Sequence, residues 1–130
     1  MIFFLPRAND ICFLGCLRSL SEEKVKIING LYKWKSKQIF FSNYSRYLIN
    51  KRKFPNPAMK EKRFIKSLIK LGIENKKKGK LFYLPTSDTN MMIAIKNWNY
   101  IKKYYHILGF KNFSKPNDFV FNKYKMYKIL

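Results

Sequence analysis

The chain opens on an apolar run, Met1-Ile2-Phe3-Phe4-Leu5, stopped by Pro6 and Arg7. The run fits an N-terminal strand or an arm that packs on a neighbour. Asn9 or Asp10 then offers an N-cap to a helix with apolar positions Ile11, Phe13, Leu14, Leu17 and Leu20, and Arg18 and Glu22-Glu23-Lys24 fall at its far end. Val25, Ile27 and Ile28 read as a strand, Asn29-Gly30 as a tight turn, and Leu31-Tyr32-Lys33-Trp34 as the returning strand. Ile39-Phe40-Phe41 is another short apolar run, and Tyr44, Tyr47 and Leu48 follow at helical spacing, so residues 25–50 keep to neither period.

The clearest pattern follows Lys51-Arg52-Lys53 and Phe54-Pro55-Asn56-Pro57. Asn56 is a good N-cap, and Pro57 suits a first helical position, where its missing N–H costs nothing. Phe64, Ile65, Leu68, Ile69 and Leu71 recur at steps of three and four, with Lys60, Lys62, Arg63, Lys66 and Lys70 between them. This predicts an amphipathic helix closed by Gly72 as a left-handed cap. Beyond the charged turn Lys76-Lys77-Lys78-Gly79-Lys80, the runs 81–84 and 91–95 read as two strands about a Pro85-Thr86-Ser87-Asp88 turn. Trp98 marks a further turn between Asn97 and Asn99, Tyr100 to Phe110 holds a strand, and Val120 with Phe119 or Phe121 makes a last one. These elements predict an α+β class, a small mixed domain with two main helices packed on a short, mostly antiparallel sheet.

At 130 residues the chain fits one domain, and a hydrophobic fraction of 47% furnishes a core. Charge changes the picture: 28 Lys and Arg face seven Asp and Glu, a net +21. Such self-repulsion opposes compaction unless a polyanion relieves it. Nucleic acid, an anionic membrane surface and an acidic protein are the candidates, and aromatics at 18% among scattered lysines favour nucleic acid. Lysines neutralise phosphates, and neighbouring Tyr, Phe and Trp can stack on unpaired bases. No stretch reaches transmembrane length, and no import presequence is visible. The heavy use of Lys, Asn, Ile, Phe and Tyr suggests coding in an AT-rich organelle, hence a mitochondrial location.

Catalytic chemistry finds little to build on. The carboxylates Asp10, Glu22, Glu23, Glu61, Glu74, Asp88 and Asp118 fall mostly at caps, turns or beside lysines. His106 stands alone in an aromatic run, reading as packed or stacking, and Cys12 and Cys16 read as two small buried hydrophobes. With neither phosphate loop nor metal-ligand spacing, the expectation is a non-enzyme without cofactor, metal or small-molecule substrate.

Two exposed bends are the candidate RNA contacts: Lys51-Arg52-Lys53 before its capped turn, and Lys111 with Ser114-Lys115-Pro116-Asn117. They also carry a family likeness. Phe54-Pro55-Asn56-Pro57-Ala58-Met59-Lys60, Leu71-Gly72-Ile73, Met92-Ile93-Ala94-Ile95-Lys96-Asn97-Trp98 and Ser114-Lys115-Pro116 follow the order of motifs in ribosomal protein S-eight of the small subunit. The helix from Asp10 to Ser19 resembles that family's opening helix. The first-turn Ser-Lys pair is replaced by Pro57-Ala58, residues 25–50 would be an insertion, and the chain stops soon after Ser-Lys-Pro.

The resemblance therefore covers the family's N-terminal domain. It implies a single rRNA-binding domain over residues 1–130 that supports assembly of an organellar small ribosomal subunit. Its RNA contacts would be Arg18, Lys51, Arg52, Lys53, Lys60, Lys111, Ser114 and Lys115, and its partners small-subunit rRNA and neighbouring ribosomal proteins, with no membrane. Leu84-Pro85-Thr86 is similar to a stretch of ribosomal protein S-ten, which leaves that family as an alternative, beside a basic peripheral membrane protein.

Overall fold

The computed structural model describes residues 1–6, 11–23, 25–31 and 50–107. The elements are β1 (Ile2–Pro6), α1 (Ile11–Glu22), β2 (Lys26–Leu31), β3 (Lys51–Lys53), α2 (Glu61–Glu74), a 3-10 turn (Lys76–Lys78), β4 (Leu81–Tyr83), α3 (Asp88–Lys96), α4 (Trp98–Ile101) and β5 (Tyr105–Ile107). The strands form one sheet in the order β3-β2-β1-β4-β5, and every pairing is parallel. This corrects the expected α+β class with its mostly antiparallel sheet: the architecture is α/β. Parallel neighbours cannot be joined by a hairpin and need crossovers, which α1, α2 and the α3–α4 pair supply.

Asn29-Gly30 accordingly makes no hairpin turn. Both residues lie inside β2, where Asn29 pairs with Leu5 and Lys51, and Gly30 with Pro6 and Arg52. Gly30 is there for a close approach, because a Cβ would stand 2.6 Å from Cζ of Phe4. The opening apolar run is the central strand of this sheet. Ile2 and Phe4 face one layer, with Phe64, Leu68, Leu71, Ile93 and Ala94. Phe3 and Leu5 face the other, with Phe13 and Leu17 of α1. A strand covered on both sides has no polar side to show, which is why β1 reads as unbroken apolar sequence.

The run 91–95, expected as a strand, is helical. Ser87 Oγ accepts from the Asn90 N–H and starts α3, and the buried Asn90, Ile93 and Ala94 share one face. The amphipathic helix forms as expected, burying Phe64, Ile65, Leu68 and Leu71, but starts later: Lys60, not Asn56, is its N-cap. Asn56 instead closes the preceding turn, its carbonyl accepting from the N–H groups of Met59 and Lys60 and its Oδ1 from Ala58. Gly72 is no left-handed cap. It lies within α2, where a Cβ would come 2.5 Å from Cβ of Tyr104, and the helix runs on to Glu74. Cys12 is exposed and Cys16 half-buried, so neither is the buried residue expected.

Two tyrosines cross the core. Tyr83 donates its hydroxyl to the Asn90 carbonyl at 3.0 Å, and Tyr105 donates to that of Leu68 at 2.7 Å. Burial above all, then Tyr83 and Glu74, pushes the Tyr105 phenol above its ordinary pKa, keeping it a neutral donor.

Two glycine substitutions separate packing from propensity. Gly72→Ala adds a better helix former yet drives a methyl into Tyr104, so it should lose about 1–3 kcal/mol in urea unfolding. Gly15→Ala, with no described atom within 4 Å of the new Cβ, should gain about 0.5–1 kcal/mol in the same measurement.

Candidate nucleic-acid interface

Among the described strands β3 and β5 are the edges, and the three residues of β3, Lys51, Arg52 and Lys53, are all exposed. Charged side chains on a short edge strand discourage pairing with other chains. The next residue, Phe54, is buried, its ring centroid 4.8 Å from that of Phe4 and 5.7 Å from that of Phe64. This anchor fixes the direction in which the chain leaves the sheet. The Asn56 turn then delivers Lys60 to the start of α2, and Arg63 follows on its first turn.

The result is an open groove of about 570 Å³ at the carboxyl end of β3, bordered by Lys53, Lys60 and Arg63 and floored by Phe54 and Pro55. Arg52, Lys53 and Lys70 border an adjoining hollow of about 180 Å³, and Lys60, Lys62, Arg63 and Lys96 another of about 620 Å³. Two carboxylates enter this tract. Glu74 pairs with Arg52 at 3.2 Å and Glu61 with Lys96 at 3.1 Å. Lys53, Lys60, Lys62, Arg63, Lys66 and Lys70 have no described carboxylate within ion-pair distance. Lys60 provides no side-chain hydrogen bond as N-cap, so the first turn of α2 presents backbone N–H groups among these cations.

Of the residues expected at an RNA surface, Lys53 and Lys60 meet at this groove, and Arg52 stands beside it with its charge partly answered. Lys51 is exposed in the same strand. Arg18 does not belong here: it lies on α1, across the sheet from α2, and pairs with Glu22 at 3.2 Å. Lys111, Ser114 and Lys115 lie outside the described residues. Lys62, Arg63 and Lys96 were not singled out from the sequence, because a lysine-rich polar face serves solvation equally well. Arg63, three residues after Lys60 on the first turn, was the available signal.

Among the described residues that line the groove, Phe54 is the one aromatic, and it is only 6% exposed. His106 is exposed as a residue, and its ring rests 5.3 Å from that of Phe82. Strand order reverses between β1 and β4, a position where open parallel sheets often bind ligands, and there the ends of the two strands are tied together. Thr86 donates its hydroxyl to the Pro6 carbonyl at 2.8 Å, and nearby Asn90 is fully buried with neither carboxamide atom hydrogen-bonded. Among the described residues no three His, Cys, Asp or Glu come together, and no helix is long and apolar enough to cross a membrane.

No family model, curated protein or solved structure matches the chain.

Glu61 supplies a pH test of this surface. The Asn97 amide at 3.0 Å holds its carboxyl below the usual carboxylate pKa, with burial opposing it and Lys96 adding to it. A lowered folded pKa gives stability that is present above the unfolded value and is lost as pH falls through the folded one. Glu61→Gln should cost less than about 1 kcal/mol at neutral pH, the size of a part-exposed pair. It should also flatten the acid limb of stability measured by urea unfolding across the carboxylate range.

Proposed function

We propose that this chain is a non-enzymatic RNA-binding protein, a structural constituent of an organellar, mitochondrial small ribosomal subunit that binds its rRNA. One observation carries the reading: Lys53, Lys60 and Arg63 converge on one groove with no described carboxylate to answer them, in a chain of net charge +21. Three unpaired cations at one concavity repel one another, and a phosphate backbone removes that repulsion while releasing its counterions. The rigid entry through Phe54 spares the flexible side chains part of the ordering cost of binding. The ribosomal assignment draws on the order of motifs shared with ribosomal protein S-eight. Neighbouring ribosomal proteins and rRNA would supply the missing negative surroundings.

Fluorescence anisotropy with transcribed small-subunit rRNA tests the proposal. Affinity should fall steeply with salt, and Lys53→Ala/Lys60→Ala/Arg63→Ala should reduce the salt slope by about 2–3, at roughly 0.7–0.9 per lost phosphate. Arg18→Ala should leave that slope unchanged. Absence of RNA affinity at low ionic strength, or salt-resistant binding to anionic vesicles in its place, would overturn the reading.

A further inference from the structure

The groove is one end of a longer feature. From Arg63 the exposed Lys66 and Lys70 continue along the outer side of α2, and the exposed Lys76, Lys77 and Lys78 take over where the helix ends. Fourteen residues make α2 about 20 Å long, and neighbours three or four apart stand about 5–6 Å from one another. A helix C-terminus favours cations, which accounts for a lysine or two in the 3-10 turn. It does not account for Lys66 and Lys70 in the middle of the helix.

We infer that this ridge binds double-helical RNA by its backbone, across the shallow minor groove, and not single-stranded RNA by its bases. The inference rests on the RNA reading above and specifies its ligand.

Sequence-tolerant binders of single strands join a basic groove to aromatic side chains on which bases stack. Here the aromatic residue that lines the groove, Phe54, and the aromatic residue of α2, Phe64, are spent on the core, at 6% and 0% exposure. A surface that offers charge alone gains most from the ligand with most charge per length. A DNA duplex carries one charge per about 1.7 Å of axis, twice the density of either strand, and an RNA duplex likewise doubles the charge of a single strand. The ridge is a convex row of long lysines. Such a shape cannot enter the narrow major groove of A-form RNA but can lie over its wide minor groove, touching phosphates on both sides.

The test is filter binding of the full chain to a 20-base-pair RNA duplex, a 20-nucleotide oligouridylate and a 20-base-pair DNA duplex, at matched salt. The RNA duplex should bind at least about tenfold more tightly than oligouridylate. Replacing Lys66, Lys70, Lys76, Lys77 and Lys78 by Gln should remove most of that preference while circular dichroism stays unchanged. Charge reversal at Lys66 and Lys70 alone should act in the same direction, so the outcome does not hang on one variant folding. Equal or tighter binding to oligouridylate or to DNA, or a duplex preference that survives both variants, would overturn the inference and leave the RNA reading standing. Failure to bind any of the three at low salt would remove both.

Discussion

The ring of Phe4 holds this structure together. It sits in the central strand, over the missing side chain of Gly30, with the rings of Phe54, Tyr83 and Tyr105 at centroid distances of 4.8, 5.9 and 6.3 Å. Those three residues lie just after β3, in β4 and in β5. One side chain of β1 therefore gathers the exit of β3 and residues of β4 and β5 into a single aromatic cluster, the kind of contact that adds specific geometry to plain burial. The basic groove inherits this. Phe54 leaves the edge strand already fixed against Phe4, and the path through the Asn56 turn to Lys60 follows from that fixed point.

The same anchoring reconciles a large net charge with a folded chain. Described carboxylates are placed where they answer cations across elements, Glu74 reaching Arg52 of β3 and Glu61 reaching Lys96 of α3. Each pair is exposed and adds little to stability by itself. Their effect is on arrangement, since they neutralise cations at the two flanks of the groove and leave Lys53, Lys60 and Arg63 without a described carboxylate between them. The apolar layers beneath, closed by Tyr83 and Tyr105 hydroxyls on buried carbonyls, supply the burial that offsets the repulsion.

Much of the core was legible in the chain, and the topology was not. The burial of Phe13, Leu17, Phe64, Ile65, Leu68 and Leu71 follows from helical spacing alone. What misled was local chemistry whose meaning is set by distant neighbours. Asn-Gly is a strong hairpin signal, yet Gly30 serves the Phe4 ring, and Gly72 serves Tyr104 from within a helix. The five-residue run at 91–95 is too short to fix a period, so Ser87 three residues before Asn90 was the better guide. Strand direction depends on crossover connections, and the one between β2 and β3 runs through residues 32–49, whose mixed pattern favoured no element. Half of the candidate site was legible for a related reason. A basic run is visible in sequence, but which of its members share a groove depends on where an edge strand meets a helix start.

The two faces of the sheet make the strongest case that the charge is directed. If lysine here served only solubility, it would be spread over every exposed helix face. Instead α1, packed on one face, has Arg18 paired with Glu22 and no other charged residue between Ile11 and Leu20. On the other face α2 carries Lys62, Arg63, Lys66 and Lys70 within nine residues. Clustering like charges at i, i+3 and i+4 destabilises an isolated helix by a few tenths of a kcal/mol per pair. A helix that keeps four of them in succession, beside an edge strand of three more, carries that cost on the one side where a polyanion would relieve it.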